Sequence, residues 1–312
     1  MKMQTTSHLL MIRPVNFRFN DETSVNNAFQ KPSVDDQPQQ KALEEFDHFA
    51  SMLRENGVDI TIVDDKPEPY TPDSIFPNNW VSFHEDGTIC LYPMFAGNRR
   101  LERKPEILEL ISEKFQVGKT VDLTAYESNH LFLEGTGSMV LDRENKIAYA
   151  CLSPRTDKKL LSIFCEMQGY RPVSFTAQDG NGQPIYHTNV MMCVADQFAV
   201  ICTDSIVSRE ERNLVIGTLR DSEKEVIDIS LEQMNHFAGN MLQVQNSKGE
   251  KLLVMSTQAY ESLSTKQMKK LEGFNRILHA SLDIIETNGG GSARCMLAEI
   301  HLPIKKQFRN KH

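Results

Sequence analysis

The chain has 312 residues, 40% of them hydrophobic and 24% charged, with a formal net charge of −8. That is ordinary globular chemistry, long enough for a large core. The acidic balance and the lack of a basic stripe exclude nucleic acid or an anionic membrane as a main partner. The apolar run in the opening MKMQTTSHLLMIRPV is too short for a secretory signal or a membrane span. Six cysteines show no C-x-x-C spacing, and most sit inside apolar runs such as ICLY and VICT. They are expected to be buried free thiols of a reducing, cytoplasmic compartment. Nine histidines without ligand spacing, and the lack of a cofactor loop, lead us to expect neither metal nor cofactor.

In chain order, LLMIRP reads as a strand, KALEEFDHFASMLREN as a helix ended by Gly57, and VDITIVD as a second strand. Four hairpins follow, each divided by a turn signal. They are WVSFH and ICLYP around Asp86-Gly87, SMVLD and KIAYACL around Arg143-Glu144-Asn145, VMMCV and FAVICT around Ala195-Asp196, and MLQVQ and KLLVMS around Ser247-Lys248-Gly249. A helical pattern comes after each: LERKPEILELISEKF, SPRTDKKLLSIFCEMQ, SREERNLVIGTLRD and LSTKQMKKLEGFNRILHA. Ser153, Ser208 and Ser264 or Thr265 are suited to cap three of these. KTVDLTAY, RPVSFTA, KEVIDIS and LDIIET then close the units as strands.

The unit strand–strand–helix–strand thus occurs five times, the fifth being split between the termini. Helix starts near 41, 101, 154, 208 and 264 give a period of roughly 53 to 60 residues. The expected fold is an α/β propeller of five pseudo-symmetric ββαβ units around a central site, in a single catalytic domain spanning 1–312. The turns put the repeats in register. Asn79, Gly137, Asn189 and Asn240 lie seven residues before Asp86, Glu144, Asp196 and Ser247. Side chains at these strand ends should converge on the axis. The fifth unit brings GGGSARCMLAEI, Gly289 to Ile300, to the matching place. Its glycines allow close backbone approach.

Three groups adjoin that ring: Glu134 in LEGTGSMV, His187 in YHTNVMM and Cys295 in GGGSARCM. A thiol, an imidazole and a carboxylate make a nucleophile, an acid/base and an orienting group. Cysteine attacks as the thiolate, which a nearby imidazolium favours. Each residue alone is commonplace in a core. The weight comes from all three falling at equivalent points of one repeat.

With the five-fold ββαβ pattern, Glu134-Gly135, His187-Thr188-Asn189 and a Gly-rich segment before Cys295, the sequence resembles the guanidino-group-modifying, or pentein, superfamily. That superfamily includes arginine deiminases, dimethylarginine dimethylaminohydrolases and glycine amidinotransferases. PDSIF, Pro72 to Phe76, resembles the PDS-x-F loop of the dimethylargininases. RPVNFRFNDETSVNNAFQ, FPNNWVSFHEDG, YPMFAGNRRLER and SARCMLAEI are most similar to the citrulline-utilisation hydrolase branch. The resemblance covers essentially the whole chain. It implies a pentein-type propeller and a hydrolase of non-peptide carbon–nitrogen bonds in ureido compounds or linear amidines. It also implies Cys295 as nucleophile, His187 as general acid/base, and Glu134 as its partner or a substrate ligand.

The departures from the family pattern concern charge. Members that act on arginine present a carboxylate where Asn79 stands and another at Asn189, and their EGGD becomes Glu134-Gly135-Thr136-Gly137 here. A guanidinium wants paired carboxylates. A ureido group is neutral, and an amide can donate to its oxygen and accept from its NH2. Asn78, Asn79 and Asn189 therefore point to citrulline, converted to ornithine, ammonia and carbon dioxide through an S-carbamoyl enzyme. An arginine deiminase or dihydrolase, a dimethylargininase-type hydrolase, an amidinotransferase and a non-catalytic protein of this fold stay open. Arg99, Arg100 and Arg103 are candidates for the α-carboxylate and Asp73 for the α-amino group, with Asn20 and Asn27 as further candidates. Arg294 should point away from the site if SARCM is extended. The expected partner is a small amino acid. A homo-oligomer is compatible with the sequence.

Overall fold

The computed structural model describes residues 3–32 and 36–308. Among them, fifteen strands form five three-stranded sheets. β1 (His8–Arg13) and β2 (Asp59–Asp64) pair in parallel. The next sheet holds β3 (Val81–Phe83), β4 (Thr88–Leu91) and β5 (Lys119–Asp122). It is followed by β6 (Val140–Asp142), β7 (Ile147–Cys151) and β8 (Arg171–Phe175). Then come β9 (Met192–Val194), β10 (Phe198–Ile201) and β11 (Glu225–Asp228). The last sheet along the chain holds β12 (Leu242–Gln245), β13 (Lys251–Ser256) and β14 (Arg276–Ala280). β15 (Ala298–Glu299) returns to β1 antiparallel and completes the first sheet. Every sheet is one antiparallel pair carrying a third strand in parallel. This is the five-unit α/β propeller expected from the repeat.

A parallel pair needs a crossover, and here each crossover contains a helix. They are α1 (Pro38–Glu55), α2 (Pro105–Lys114), α3 (Lys158–Gln168), α4 (Arg209–Asp221) and α5 (Thr265–Glu272). α1 shows why. Its Ala42, Phe46, Phe49, Ala50 and Leu53 recur at helical spacing and pack with Leu9, Met11 and Ile60 of β1 and β2. Each large apolar side chain so buried contributes roughly 1.5–3 kcal/mol. Ser208 and Ser264 cap α4 and α5 through side-chain oxygens, the latter in a reciprocal box with Gln267.

Three expectations are corrected. Ser153 does not cap α3. Asp157 does, accepting from Lys159 and Leu160 backbone N–H, because the helix starts only at Lys158 and Ser153 Oγ accepts instead from Arg155 N–H in the preceding turn. LDIIET is not a strand. α5 stops at Glu272, RILHA is strand β14, and α6 (Asp283–Gly289) takes up most of LDIIET. The reason is tertiary. Ile284 and Ile285 N–H at the start of α6 donate to the carboxylate of Glu45 on α1, a cap supplied from far away in the chain. SARCM is a turn rather than extended, with Cys295 N–H donating to Ser292 O and Leu297 N–H to Arg294 O. All six cysteines are buried and free. No helix among the described residues is long and apolar enough to cross a membrane.

Candidate active site

A tight turn precedes each inner strand, and the turns meet at one end of the axis. Pro77–Asn79, Gly135–Ser138 and Thr188–Met191 are single helical turns leading to β3, β6 and β9. The residues set in register by sequence do converge. Asn240 Nδ2 donates to Asn189 O at 2.8 Å and lies 3.3 Å from Cys295 Sγ, while Asn189 Nδ2 lies 3.4 Å from the same sulfur. Arg294 N–H in turn donates to Asn240 Oδ1 at 3.0 Å. Both amide NH2 groups are thus within reach of one sulfur. Gly137 is the position where bulk is excluded. A Cβ there would stand 2.3 Å from Asn79 Nδ2 and 2.8 Å from His187 Nδ1.

Cys295 and His187 line one narrow pocket with a cavity volume of about 10 Å3, so it must widen to reach the ~300 Å3 at which small-molecule sites start. His187 Nε2 is 2.8 Å from Glu134 Oε2, and Glu134 Oε1 accepts from Phe95 N–H at 2.9 Å. Glu134 is fully buried. Burial pushes its pKa up, but the Arg155 guanidinium, the His187 hydrogen bond and Arg99 outweigh this and bring it down to about 2. For His187 burial dominates and Arg155 and Arg99 add to it, so that despite Glu134 its pKa falls to about 4. The resting pair is therefore carboxylate and neutral imidazole, with Nε2–H donated to Glu134 and the lone pair on Nδ1. This differs from the sequence expectation of an imidazolium beside the thiol. Cys90, Cys151, Cys165 and Cys193 are pushed by burial up to about 12, and Cys202 to about 11. Of the six cysteines, Cys295 is the one that lines this pocket.

Asn79, Asp73 and Arg99 also line it. Asn79 Oδ1 accepts from Arg99 Nη1 at 2.8 Å, and its Nδ2 is buried without a hydrogen-bond partner. Asp73 Oδ2 accepts from Asn20 at 2.8 Å and Thr23 at 3.1 Å, and its Oδ1 is likewise buried and unpartnered. Burial raises the Asp73 pKa, opposed by Arg99 and these hydrogen bonds. Arg99 donates to both oxygens of Glu102, at 2.8 and 3.0 Å.

Other candidates stand elsewhere. Asn78 turns its Nδ2 to Thr136 Oγ1 at 3.3 Å and does not face the pocket. Asn189 lies behind the sulfur. Asn20 acts on Asp73 and Asn98, not on the pocket directly. Arg100 reaches the carbonyls of Met94 and Phe95 and stacks on Phe132, and Arg103 pairs with Glu127. Arg294 does point away, but because Leu297 O and Glu299 hold it, not through strand alternation. Asn27 lines the pocket and donates to Gly290 O.

Arg155 and Tyr186 were missed. Arg155 lies over the Tyr186 ring, 3.5 Å from Glu134 Oε2, and donates to Thr23 O at 2.7 Å and Asn26 Oδ1 at 2.8 Å. Tyr186 packs on the His187 ring at 4.6 Å. A signal existed for Arg155. SPRTDKK follows β7 as PMFAGNRR follows β4, so the repeat puts Arg155 and Arg99 in corresponding loops.

The family model for eukaryotic N,N-dimethylarginine dimethylhydrolase matches residues 13–302. No curated protein matches the sequence. Among solved structures, ArgZ, an arginine dihydrolase from the ornithine–ammonia cycle in cyanobacteria, superposes with a TM-score of 0.75 at 17% identity, covering 96% of this chain and 41% of that one. The N-terminal domain of ArgZ bound to substrate gives 0.74 at 17% identity, over 96% of this chain and 99% of that domain. A dimethylarginine dimethylaminohydrolase carrying an S-methyl-L-thiocitrulline adduct gives 0.64 at 16% identity, over 96% and 100%. These identities speak for the fold, and the chain spans less than half of full-length ArgZ. Fold, repeat and the match over residues 13–302 together make this chain a member of the N,N-dimethylarginine dimethylhydrolase family, within the guanidino-group-modifying, or pentein, superfamily.

Proposed function

We propose that the chain hydrolyses the ureido group of citrulline to ornithine, ammonia and carbon dioxide, with Cys295 as nucleophile, His187 as acid and base, and Glu134 orienting His187. The observation that carries this reading is the Asn79 amide. Its oxygen is taken by Arg99, so what this pocket-lining side chain has left is a buried donor without a partner. A ureido carbonyl oxygen satisfies that donor. A guanidinium has donors only and would oppose N–H to N–H, at a cost of about 1–3 kcal/mol for the unmatched group.

The Cys295 proton passes to His187 Nδ1, and Glu134 holds the resulting imidazolium through Nε2–H. Sulfur attacks the ureido carbon while the carbonyl oxygen, gaining negative charge, accepts from Asn79 Nδ2. The bond from that carbon to the alkyl nitrogen breaks, His187 returns its proton to the nitrogen, and ornithine leaves. Water then adds to the S-carbamoyl carbon and gives a proton to His187. The carbon–sulfur bond breaks, the Cys295 sulfur takes that proton back from His187, and the carbamic acid released falls to ammonia and carbon dioxide. Asp73 Oδ1 suits the α-ammonium, and Arg155 and Arg99 supply positive charge for the α-carboxylate.

A second reading assigns the unpartnered Asp73 carboxylate oxygen to a guanidinium instead of the α-ammonium, so that arginine enters too and is deiminated before the ureide is cleaved. The test gives purified protein citrulline, arginine and N-methylated arginines in parallel and assays ornithine, citrulline and ammonia. Ornithine from citrulline supports the proposal. Citrulline accumulating from methylated arginine, with none consumed, overturns it. Added glycine captured as a guanidino product would identify a transferase. Asn79→Asp should move the citrulline-to-arginine kcat/KM ratio towards arginine by about 10- to 100-fold, the size of one charge-assisted hydrogen bond.

A further inference from the structure

Asn79 can discriminate only while its amide is held one way round. A half-turn about the terminal bond exchanges its oxygen and nitrogen, so something must hold the amide. Arg99 does. Its Nη1 donates to Asn79 Oδ1 at 2.8 Å. A guanidinium has no acceptor, so the reversed amide would set NH2 against N–H in a buried place. The hairpin explains the meeting. β3 and β4 are antiparallel, and Tyr92 N–H donates to Trp80 O at 3.0 Å, so the loop leaving β4 lies beside the turn entering β3.

Arg99 is itself held in a fixed plane. Glu102 takes Nε and Nη2 in a two-pronged pair, and Nη2 also donates to Phe76 O at 3.2 Å and Asp73 O at 3.4 Å. Arg99 and Glu102 are each 2% exposed. Glu102 does not line the pocket. Its carboxylate reaches the site only through Arg99, and Arg99 spends most of its N–H groups on protein acceptors.

We infer that Glu102 is a specificity-positioning residue: by fixing the Arg99 guanidinium it locks the Asn79 amide with its N–H towards the pocket, and so selects a neutral ureido oxygen over a cationic guanidinium. The inference rests on the ureido reading above and supplies the device behind it. The discrimination then belongs to a three-residue chain, carboxylate to guanidinium to amide, whose first member never meets the substrate.

Glu102→Gln keeps the shape but removes the charge and one of the two prongs. The expected result is a fall of about 10-fold or more in the citrulline-to-arginine kcat/KM ratio, carried by the citrulline value, as for the loss of one oriented hydrogen bond. On a Cys295→Ala background, calorimetry should show weaker citrulline binding with arginine binding held or improved. In an Asn79→Asp background, Glu102→Gln should leave the ratio unmoved, because a carboxylate has no amide end to orient. Should Glu102→Gln fail to fold, Arg99→Lys keeps the charge but cannot bridge Glu102 and Asn79, and it should lower the ratio in the same way. Equal losses for both substrates, with the ratio fixed, overturn the role of Glu102 and leave the ureido reading standing. A wild-type protein that prefers arginine overturns that reading, and this inference with it.

Discussion

At the end of the axis that holds Cys295, Asn79 Nδ2 and Asp73 Oδ1, both from residues lining the pocket, are buried without a hydrogen-bond partner. Near the other end Glu299 is held from three sides, by Arg294 Nη2 at 2.9 Å, His301 Nε2 at 3.2 Å and Arg143 Nη2 at 3.6 Å. Both regions bury polar atoms, yet the pocket leaves Asn79 Nδ2 and Asp73 Oδ1 open while the Glu299 carboxylate is paired on both oxygens. Unpaired buried groups cost stability and are kept where something else pairs with them. Paired charges gain little net energy but are costly to break singly. The first region has the character of a place for a ligand, and the second that of a brace.

The largest test of this contrast is Cys295→Ala. Turnover should drop at least about 10³-fold, as for loss of a nucleophile, while the urea midpoint stays close to wild type. Activity above a few per cent would remove Cys295 from the chemistry. Glu299→Ala should do the reverse. Stripping the shared partner from two arginines is expected to cost about 3–5 kcal/mol of unfolding free energy, with activity per folded molecule retained. A neutral outcome in denaturant melts would deny the brace.

A pH series compares the two ends directly. His187 at one end and His301 at the other are both lowered from 6.5 to about 4, in each case by burial first. Between those values the unfolded chain binds a proton that the folded chain refuses, so stability is whole above pH 6.5 and is lost as pH falls towards 4. His187→Gln or His301→Gln should each flatten that slope in urea titrations from pH 7 to 4. A slope unchanged in both variants would assign acid sensitivity elsewhere. The smallest effect is expected far from either end. Gly217 sits inside α4 with nothing within 4 Å of a built Cβ. Gly217→Ala should raise stability by about 0.5–1 kcal/mol and leave kinetics alone.

The repeat was readable because its turns are chemically explicit, and Asp86-Gly87 and Ser247-Lys248-Gly249 fall between short apolar runs whichever way the chain packs. The convergence of Asn79, Gly137, Asn189 and Asn240 followed from that register. The exchange of β14 and α6 did not, because the cap that starts α6 comes from Glu45 on another helix. Nor could neighbouring asparagines be told apart. Asn78 and Asn79 differ in function only through Thr136 and Arg99, which the fold brings to them. Arg155 hid in a stretch read as the start of a helix. The neutral state of His187 depends on burial and on Arg155, and no short sequence window contains either.

The pairing of β1 with β15 joins Leu9 to Glu299 and Leu10 to Ala298. Bonds between such distant residues form late, because a long loop must close before they form. The segment carrying Cys295 lies just before β15, whereas Glu134, His187 and Asn79 belong to units completed from nearby sequence. The acid–base pair thus comes from units built of nearby sequence, and the attacking atom comes from the segment that closes the first sheet. Closing the propeller and placing the thiol therefore fall to one stretch of chain.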